Sequence, residues 1–163
     1  MKKMNKVLYI ILISLFSLTI FSCAKKEKEE EKDTIAPTVS SISPTDNQTG
    51  VSISENISVT FSEAMDTASV TTNTSDTSCS GSFQLSSDTF STCVQMSSSP
   101  SSSNSNKTFT IDPSSNLSYA TSYKIRVTTG VKDSTGNVLS SQYETSTGSS
   151  QLNQLHYGRR NHT

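Results

Sequence analysis

Three short runs in the middle of the chain alternate apolar and polar residues with a period of two. They are residues 57–61, 109–111 and 123–127. Alternation puts every second side chain on one face of a strand, so each run is typical of a strand with one buried and one exposed face. Weaker forms of the pattern occur at residues 39–42, 51–53, 83–85 and 94–96. Because no sustained helical period appears between residues 34 and 148, the pattern predicts an all-β domain.

Turn-forming residues separate these runs. Pro, Asp, Asn and Gly cluster at residues 43–47, 112–116 and 133–137, and residues 97–106 form a Ser/Asn-rich stretch that we expect to be a loop. Only 31% of the chain is apolar, but Thr suits strands and Ser suits turns, so the composition is compatible with half-exposed sheets. With a last strand around residues 142–147, about seven short strands predict an antiparallel sandwich.

Tyr123 begins one of the clearest strands and follows Leu117 by six residues. This spacing is compatible with a tyrosine corner, in which the hydroxyl of the tyrosine binds backbone near the preceding crossover. Plain packing of Tyr123 in the core is the alternative.

The order of these motifs resembles that of the bacterial Ig-like domain found in S-layer and other bacterial surface proteins. The resemblance begins at residues 35–39, continues through residues 57–66 and 109–113, and ends at residues 123–137. It implies an Ig-like sandwich over residues 35–148, used as a spacer or a binding module on cell surfaces, with no catalytic residues to transfer.

The N-terminus has the layout of an export signal. Lys2, Lys3 and Lys6 precede residues 7–22, which carry no charge and end in a small residue. Sixteen helical residues would cover about 24 Å, which is short of the roughly 30 Å hydrocarbon core of a membrane. We therefore predict that residues 1–22 are a signal peptide; a single transmembrane anchor is the alternative.

Residues 20–23, Ile-Phe-Ser-Cys, resemble a bacterial lipobox. The resemblance implies cleavage before Cys23 and attachment of acyl chains such as palmitate to this residue, which would hold the protein on a membrane. The alternative is a plain signal peptide followed by a chance cysteine. The predicted location is the bacterial cell envelope, at the outer membrane or the cell surface.

A charged segment follows Cys23. Residues 24–33 hold four Lys, four Glu and one Asp, a composition that cannot bury enough surface to order itself. We expect residues 23–34 to form a disordered tether. The whole chain has 13 basic and 14 acidic residues, and this balance argues against binding to nucleic acid, which requires a cationic surface.

Cys79 and Cys93 remain as a pair 14 residues apart. Export would place them in an oxidising compartment, where two remaining cysteines favour a disulfide. Two free thiols are the alternative.

Four oxygen-bearing side chains are candidates for one end of the sandwich: Glu63, Asp66, Asp133 and Asn137. Carboxylate and amide oxygens suit calcium, but residues 133–137 need polar side chains and a glycine simply to turn the chain. We favour the turn and predict neither a metal site nor a cofactor.

The sequence contains no recognisable catalytic motif. His156 and His162 fall in residues 149–163, which we expect to be an irregular tail, and no nucleophile elbow or phosphate-binding loop occurs. We therefore expect a non-catalytic, lipid-anchored surface protein whose Ig-like domain acts as an adhesion or binding module for an extracellular or envelope protein. The alternative is a structural spacer, or a truncated stalk, that presents a further C-terminal domain.

Overall fold

The computed structural model describes residues 32–151, which form eight short strands and no helix. The strands are β1 (Val39–Ser43), β2 (Ile57–Phe61), β3 (Phe83–Ser86), β4 (Ser101–Ser103), β5 (Thr108–Ile111), β6 (Ser122–Val127), β7 (Tyr143–Glu144) and β8 (Ser149–Ser150). Within this part of the chain, no helix is long and apolar enough to cross a membrane. The predicted signal peptide, Cys23, tether residues 24–31 and tail residues 152–163 lie outside the described residues.

The strands form two antiparallel sheets. One has the order β1-β2-β5-β4, and the other has the order β3-β6-β7, with β8 also paired to β6. Since β7 and β8 pair with successive parts of β6, they occupy one strand position, and the sandwich has seven positions in all. This is the strand order of a constant-type Ig domain. The prediction of an all-β, Ig-like antiparallel sandwich is confirmed.

The alternating runs supply the core. Ile57, Val59 and Phe61 of β2 are buried while the residues between them are half-exposed, and β5 and β6 repeat the pattern. The rings of Phe61 and Phe109 meet edge to face, with their centroids 6.0 Å apart. Full burial of each such side chain contributes roughly 1.5–3 kcal/mol, so these three strands hold the two sheets together.

The strand β1 departs from simple alternation. Val39 and Ile42 both pack against the core, although a spacing of three should place them on opposite faces. The register shifts between Val39 and Ser41, and this bulge brings both apolar side chains to the same face.

Two expected strands are absent from the described residues. In residues 94–96, the N–H of Val94 donates to Leu85 O and the N–H of Met96 donates to Asn73 O, so successive residues pair with different segments and no ladder forms. In residues 51–53, only Val51 makes a bridge, a parallel one to Gln151. The segment turns at once, because the N–H of Glu55 donates back to Ser52 O.

Two segments expected to be irregular contain strands. The predicted loop at residues 97–106 includes β4, which pairs through its backbone with β5 along one sheet edge and so shows no apolar alternation. The last strand, expected around residues 142–147, is divided into β7 and β8. Three residues assigned to the tail therefore belong to the sandwich: Ser149 and Ser150 form β8, and Gln151 is buried.

Tyr123 combines the two roles considered for it. Its side chain is buried in the core beside Leu117, and its hydroxyl accepts a hydrogen bond of 3.1 Å from the N–H of Ser118. The hydroxyl thus ties the β5–β6 crossover to the start of β6, as in a tyrosine corner.

Candidate functional site

The described chain enters and leaves the sandwich at opposite ends. At the end that we call proximal, the side-chain amide of Asn137 donates to Asp33 O at 3.2 Å. At the end that we call distal, the N–H of Gln151 donates to Thr121 O at 3.1 Å. The strand β6 starts beside Thr121 and runs toward the turn that holds Asn137, so it separates the two ends.

An acidic cluster lies at the proximal end. Carboxylate oxygens of Asp33, Glu63 and Asp133 lie within 4.8 Å of one another. The antiparallel bridge between Met65 and Asp133 brings the two segments together. Two of the predicted calcium candidates, Glu63 and Asp133, are therefore neighbours. Asp33, which we assigned to the tether, is the third member.

The other two candidates have structural contacts of their own. Asn137 binds Asp133 through both its backbone N–H and its side-chain amide, at 2.8 Å each. Asp66 is not part of the cluster; one of its oxygens accepts from the N–H of Ala68 at 3.0 Å. The structure thus brings Glu63, Asp133 and Asn137 together and leaves Asp66 in a separate turn.

Hydrogen bonds within the turn occupy the carboxylate of Asp133. One of its oxygens accepts from the N–H and hydroxyl of Thr135 and from the N–H of Asn137, and the other accepts from the Asn137 amide. Gly136 takes a φ of +97° and its N–H donates to Asp133 O. These are the bonds of a side-chain-stabilised turn, and they leave Asp133 few lone pairs for a cation.

The two neighbouring acids have opposite pKa shifts. Desolvation by burial, followed by the charges of Asp133 and Asp33, raises the pKa of Glu63, and Lys107 partly opposes this. Burial also acts to raise the pKa of Asp133, but the hydrogen bonds from Asn137 and Thr135 outweigh it, and the pKa is lowered overall. Hydrogen bonds therefore favour the charged form of Asp133, whereas burial and the neighbouring charges favour the protonated form of Glu63.

Cys79 and Cys93 form a disulfide, with their Cα atoms 4.9 Å apart. The closed loop covers the outer face of β3, so all four residues of this strand are buried. Within the loop, Phe90 is 9% exposed and its backbone has a φ of +64°. The Arg126 guanidinium lies 3.6 Å from the centroid of the Phe90 ring and pairs with Glu144 at 3.1 Å. The disulfide therefore holds a third layer on this sheet.

Asp46 joins the start of the domain to its last strand position. Its carboxylate accepts from the N–H and hydroxyl of Ser146 at 3.0 and 2.6 Å, and from the N–H groups of Thr147 and Gly148 at 3.1 and 2.7 Å. These bonds, led by that of the Ser146 hydroxyl, lower the pKa of Asp46 to about 2. Sequence reasoning treats Asp46 only as a turn residue, because nothing local indicates partners 100 residues away.

A shallow polar pocket of 170 Å³ lies beside the β5–β6 crossover, between Ile53 and residues 112–116. Its carboxylate, Asp112, accepts a hydrogen bond from the Ser97 hydroxyl at 3.2 Å. Acid–base catalysis requires a group placed to exchange protons with a substrate, usually beside a second polar group that tunes it. Asp112 is the one titratable side chain among the residues that line this pocket.

Comparisons with known proteins place the chain in a family. No curated protein matches it. Among solved structures, a crystal structure of the S-layer protein SbsC shares 20% identity and a TM-score of 0.48 over 72% of this chain and 14% of that one. A structure of the native conformation of E. coli alpha-2-macroglobulin shares 15% identity and a TM-score of 0.47 over 74% of this chain and 6% of that one.

This chain thus spans only a small part of those proteins. The match that identifies it is the family model described as "Bacterial Ig-like domain", which covers residues 33–149. The protein belongs to the bacterial Ig-like domain family.

Proposed function

We propose that this protein is a non-catalytic spacer of the bacterial cell surface, anchored at its N-terminus and carrying the segment after Gln151 away from the membrane. The observation that carries this proposal is where the described chain enters and leaves the sandwich. Asp33 lies at the proximal end and Gln151 at the distal end, so the sandwich stands in series between the N-terminal segment and the C-terminal segment of the chain.

The length of the sandwich sets the reach of the spacer. From Thr121, beside Gln151, to Asp133, beside the incoming chain, β6 and its following turn extend at most about 40 Å at 3.3–3.4 Å per residue. The six residues of β6 alone account for about 20 Å of this length. The domain therefore provides a reach of between about 20 and 40 Å along β6.

The proposed anchor is Cys23, acylated after removal of residues 1–22. Its support is the sequence Ile-Phe-Ser-Cys at residues 20–23, after a positively charged start and an uncharged stretch. Lipid attachment would tie the membrane to the part of the chain that enters the sandwich at the proximal end. The charged residues 24–33 then connect the lipid to the sandwich.

A second candidate function is adhesion, with the domain binding a protein ligand at its distal end. Tyr119 favours it, since its side chain is 39% exposed in the crossover just before β6. Tyrosine is among the residues that carry binding energy at interfaces. Adhesion depends on the identity of this surface, whereas spacing depends only on the length of the domain.

Domain replacement separates the two functions. An epitope tag inserted after Gln151 reports, through antibody binding to intact cells, how far the distal segment is exposed. Replacing residues 35–148 with an unrelated Ig-like sandwich of the same length should preserve tag exposure, and deleting them should reduce it. Equal exposure after deletion contradicts the spacer.

Adhesion is tested by a pulldown from envelope and host-surface proteins. The intact chain should retain no more than the chain with the unrelated sandwich. A retained ligand that is lost in Tyr119→Ala and kept in the control Tyr143→Ala, a half-buried tyrosine of β7, establishes adhesion in place of spacing.

A further inference from the structure

One segment from the first part of the domain sequence and one from the last part lie side by side and run in the same direction. The first, residues 46–51, follows β1, and the second, residues 146–151, includes β8. Three backbone hydrogen bonds join them: Asn47 N–H to Gly148 O at 2.8 Å, Ser150 N–H to Gln48 O at 2.8 Å and Val51 N–H to Ser150 O at 3.2 Å. Val51 and Gln151 form a parallel bridge. We call these two segments the terminal clamp.

Side chains reinforce the clamp at both of its ends. At the start, the Asp46 carboxylate accepts four hydrogen bonds from residues 146–148, and bonds to an ionised acceptor are stronger than neutral ones. At the finish, Gln151 is 5% exposed. With its amide oriented to satisfy its neighbours, it donates to Val51 O and Ser52 O at 3.0 and 2.7 Å.

Gly148 allows the second segment to lie this close to the sheet. Its φ is +86°, and a Cβ at this position would collide with the carbonyl oxygen of Tyr123 in β6. The second segment is thus held between the first segment on one side and β6 on the other. Backbone atoms make contacts on both sides, and the side chains of Asp46 and Gln151 add to those with the first segment.

The direction of the two segments decides how they respond to a pull. Tension applied to the N-terminus travels through β1 to Asp46 and is directed toward the proximal end. Tension applied beyond Gln151 is directed toward the distal end. Because the segments are parallel, these opposed forces slide one along the other, and all of the hydrogen bonds between them are loaded together. Peeling would instead load and break the bonds one at a time.

We propose that the domain bears tensile load between its two ends through the terminal clamp. The proposal rests on the spacer function, since a domain is stretched only when both of its ends are held. The strands β3, β4 and β5 lie outside the direct load path, whereas β2 and β6 flank it, because β1 pairs with β2 and β8 pairs with β6.

Single-molecule force spectroscopy at constant force tests the clamp. The full chain carries one handle at each end, and the measured quantity is the unfolding rate, which governs forced unfolding. Removal of the Asp46 contacts in Asp46→Ala should raise this rate about tenfold, because interactions that break at the barrier act on unfolding.

Asp88→Ala is the matched control. Asp88 also accepts several hydrogen bonds, from Ser86 and Thr92, but it lies in the disulfide-closed loop outside the load path. Its replacement should change the unfolding rate under load by less than about twofold. An equal acceleration in the two variants overturns the proposal.

A change of pulling geometry keeps the test valid even if Asp46→Ala fails to fold. Handles at the N-terminus and at Ser105, in the β4–β5 turn near the proximal end, load the unaltered chain without passing through residues 146–151. Unfolding at the same force should then be at least about tenfold faster than with handles at the two ends. Equal rates in the two geometries overturn the proposal.

The two proposals fail separately. If the unfolding rates support the clamp but the tag stays exposed after domain deletion, the load-bearing inference stands and the spacer is contradicted. Loss of tag exposure on deletion, together with equal rates in the two pulling geometries, leaves the spacer and overturns the clamp.

Discussion

The guanidinium of Arg126 lies 3.6 Å from the centroid of the Phe90 ring, on the face of β6 that points away from the core. The same side chain pairs with Glu144 at 3.1 Å. Arg126 thus joins the disulfide-closed loop to β7 across the outer face of the sheet. A cation held over an aromatic ring and paired with a carboxylate stabilises the contacts between the loop, β6 and β7.

Replacement of Arg126 tests that layer. Arg126→Ala removes the cation–π contact and the ion pair and exposes the ring of Phe90, so we expect the free energy of unfolding to fall by about 1–2 kcal/mol. Urea denaturation followed by tyrosine fluorescence measures the loss. The control is Lys124→Ala, on the same face of β6, which should cost less than about 0.5 kcal/mol. Equal losses in the two variants contradict a specific role for Arg126.

Removing the disulfide should destabilise the domain by more. In the chain-entropy model, closing a loop of about 14 residues contributes about 3 kcal/mol, so the double variant Cys79→Ser, Cys93→Ser should unfold at a lower urea concentration. Reductant should lower the midpoint of the unaltered protein to a similar value and leave that of the variant unchanged. A variant with an unaltered midpoint, or one that still responds to reductant, contradicts this role.

Asp46 makes stability depend on acidity. Its pKa is 3.8 ordinarily and about 2 in the fold, so between these values the unfolded chain binds more protons than the native one. The stabilisation is complete above about pH 4 and is lost as the pH falls through about 2. After allowance for solvent screening at this half-exposed site, it amounts to about 1–2 kcal/mol.

Unfolding measured between about pH 6 and pH 2 checks this prediction. Asp46→Asn should be less stable than the unaltered protein at the upper end of this range, and the difference should shrink toward the lower end. The remaining slope of the variant comes partly from Asp88, whose pKa is also lowered to about 2, chiefly by Thr92. If the difference in stability between the two proteins is constant over this range, the titration of Asp46 does not cause the loss of stability in acid.

Glu63 gives a slope of the opposite sign. Burial and the neighbouring carboxylates raise its pKa above 4.5, so the native state binds more protons than the unfolded one. The contribution of Glu63 to stability is favourable below about pH 4.5 and is lost as the pH rises through the raised pKa. Glu63→Gln should therefore be more stable than the unaltered protein at about pH 7 and equal to it near pH 4. A less stable variant at neutral pH contradicts this account.

The same variant serves as a control for calcium. Because hydrogen bonds within its turn occupy the Asp133 oxygens, millimolar calcium should move the melting temperature of the unaltered protein by less than about 1 °C. A rise of several degrees that disappears in Glu63→Gln would show that the acidic cluster binds the ion after all.

The sequence predicts the strands that bury large side chains in strict alternation. The alternation at residues 57–61 and 123–127 predicts β2 and β6, because one face of each strand is buried in the core. The edge strand β4 consists of three exposed serines and is held by backbone pairing, which leaves no mark on the pattern of side chains. Conversely, Val94 and Met96 alternate but donate to different segments, so alternation alone overpredicts a strand there.

Long-range polar contacts are harder to predict. The turn at residues 133–137 is local, and its residues make the expected bonds. Asp33 joins the acidic cluster because the incoming chain is fixed by Asn137, although its charged neighbours in sequence indicate a tether. The partners of Asp46 lie 100 residues away and become adjacent only when the last strand position forms on β6.

The central claim, that a lipid anchor holds this Ig-like domain at the cell surface, is tested most directly by the intact mass of the protein extracted from membranes. The account predicts a chain that begins at Cys23 with added acyl mass, in which Cys79 and Cys93 resist alkylation until they are reduced. A chain that begins at another residue, or that carries no acyl mass, contradicts it.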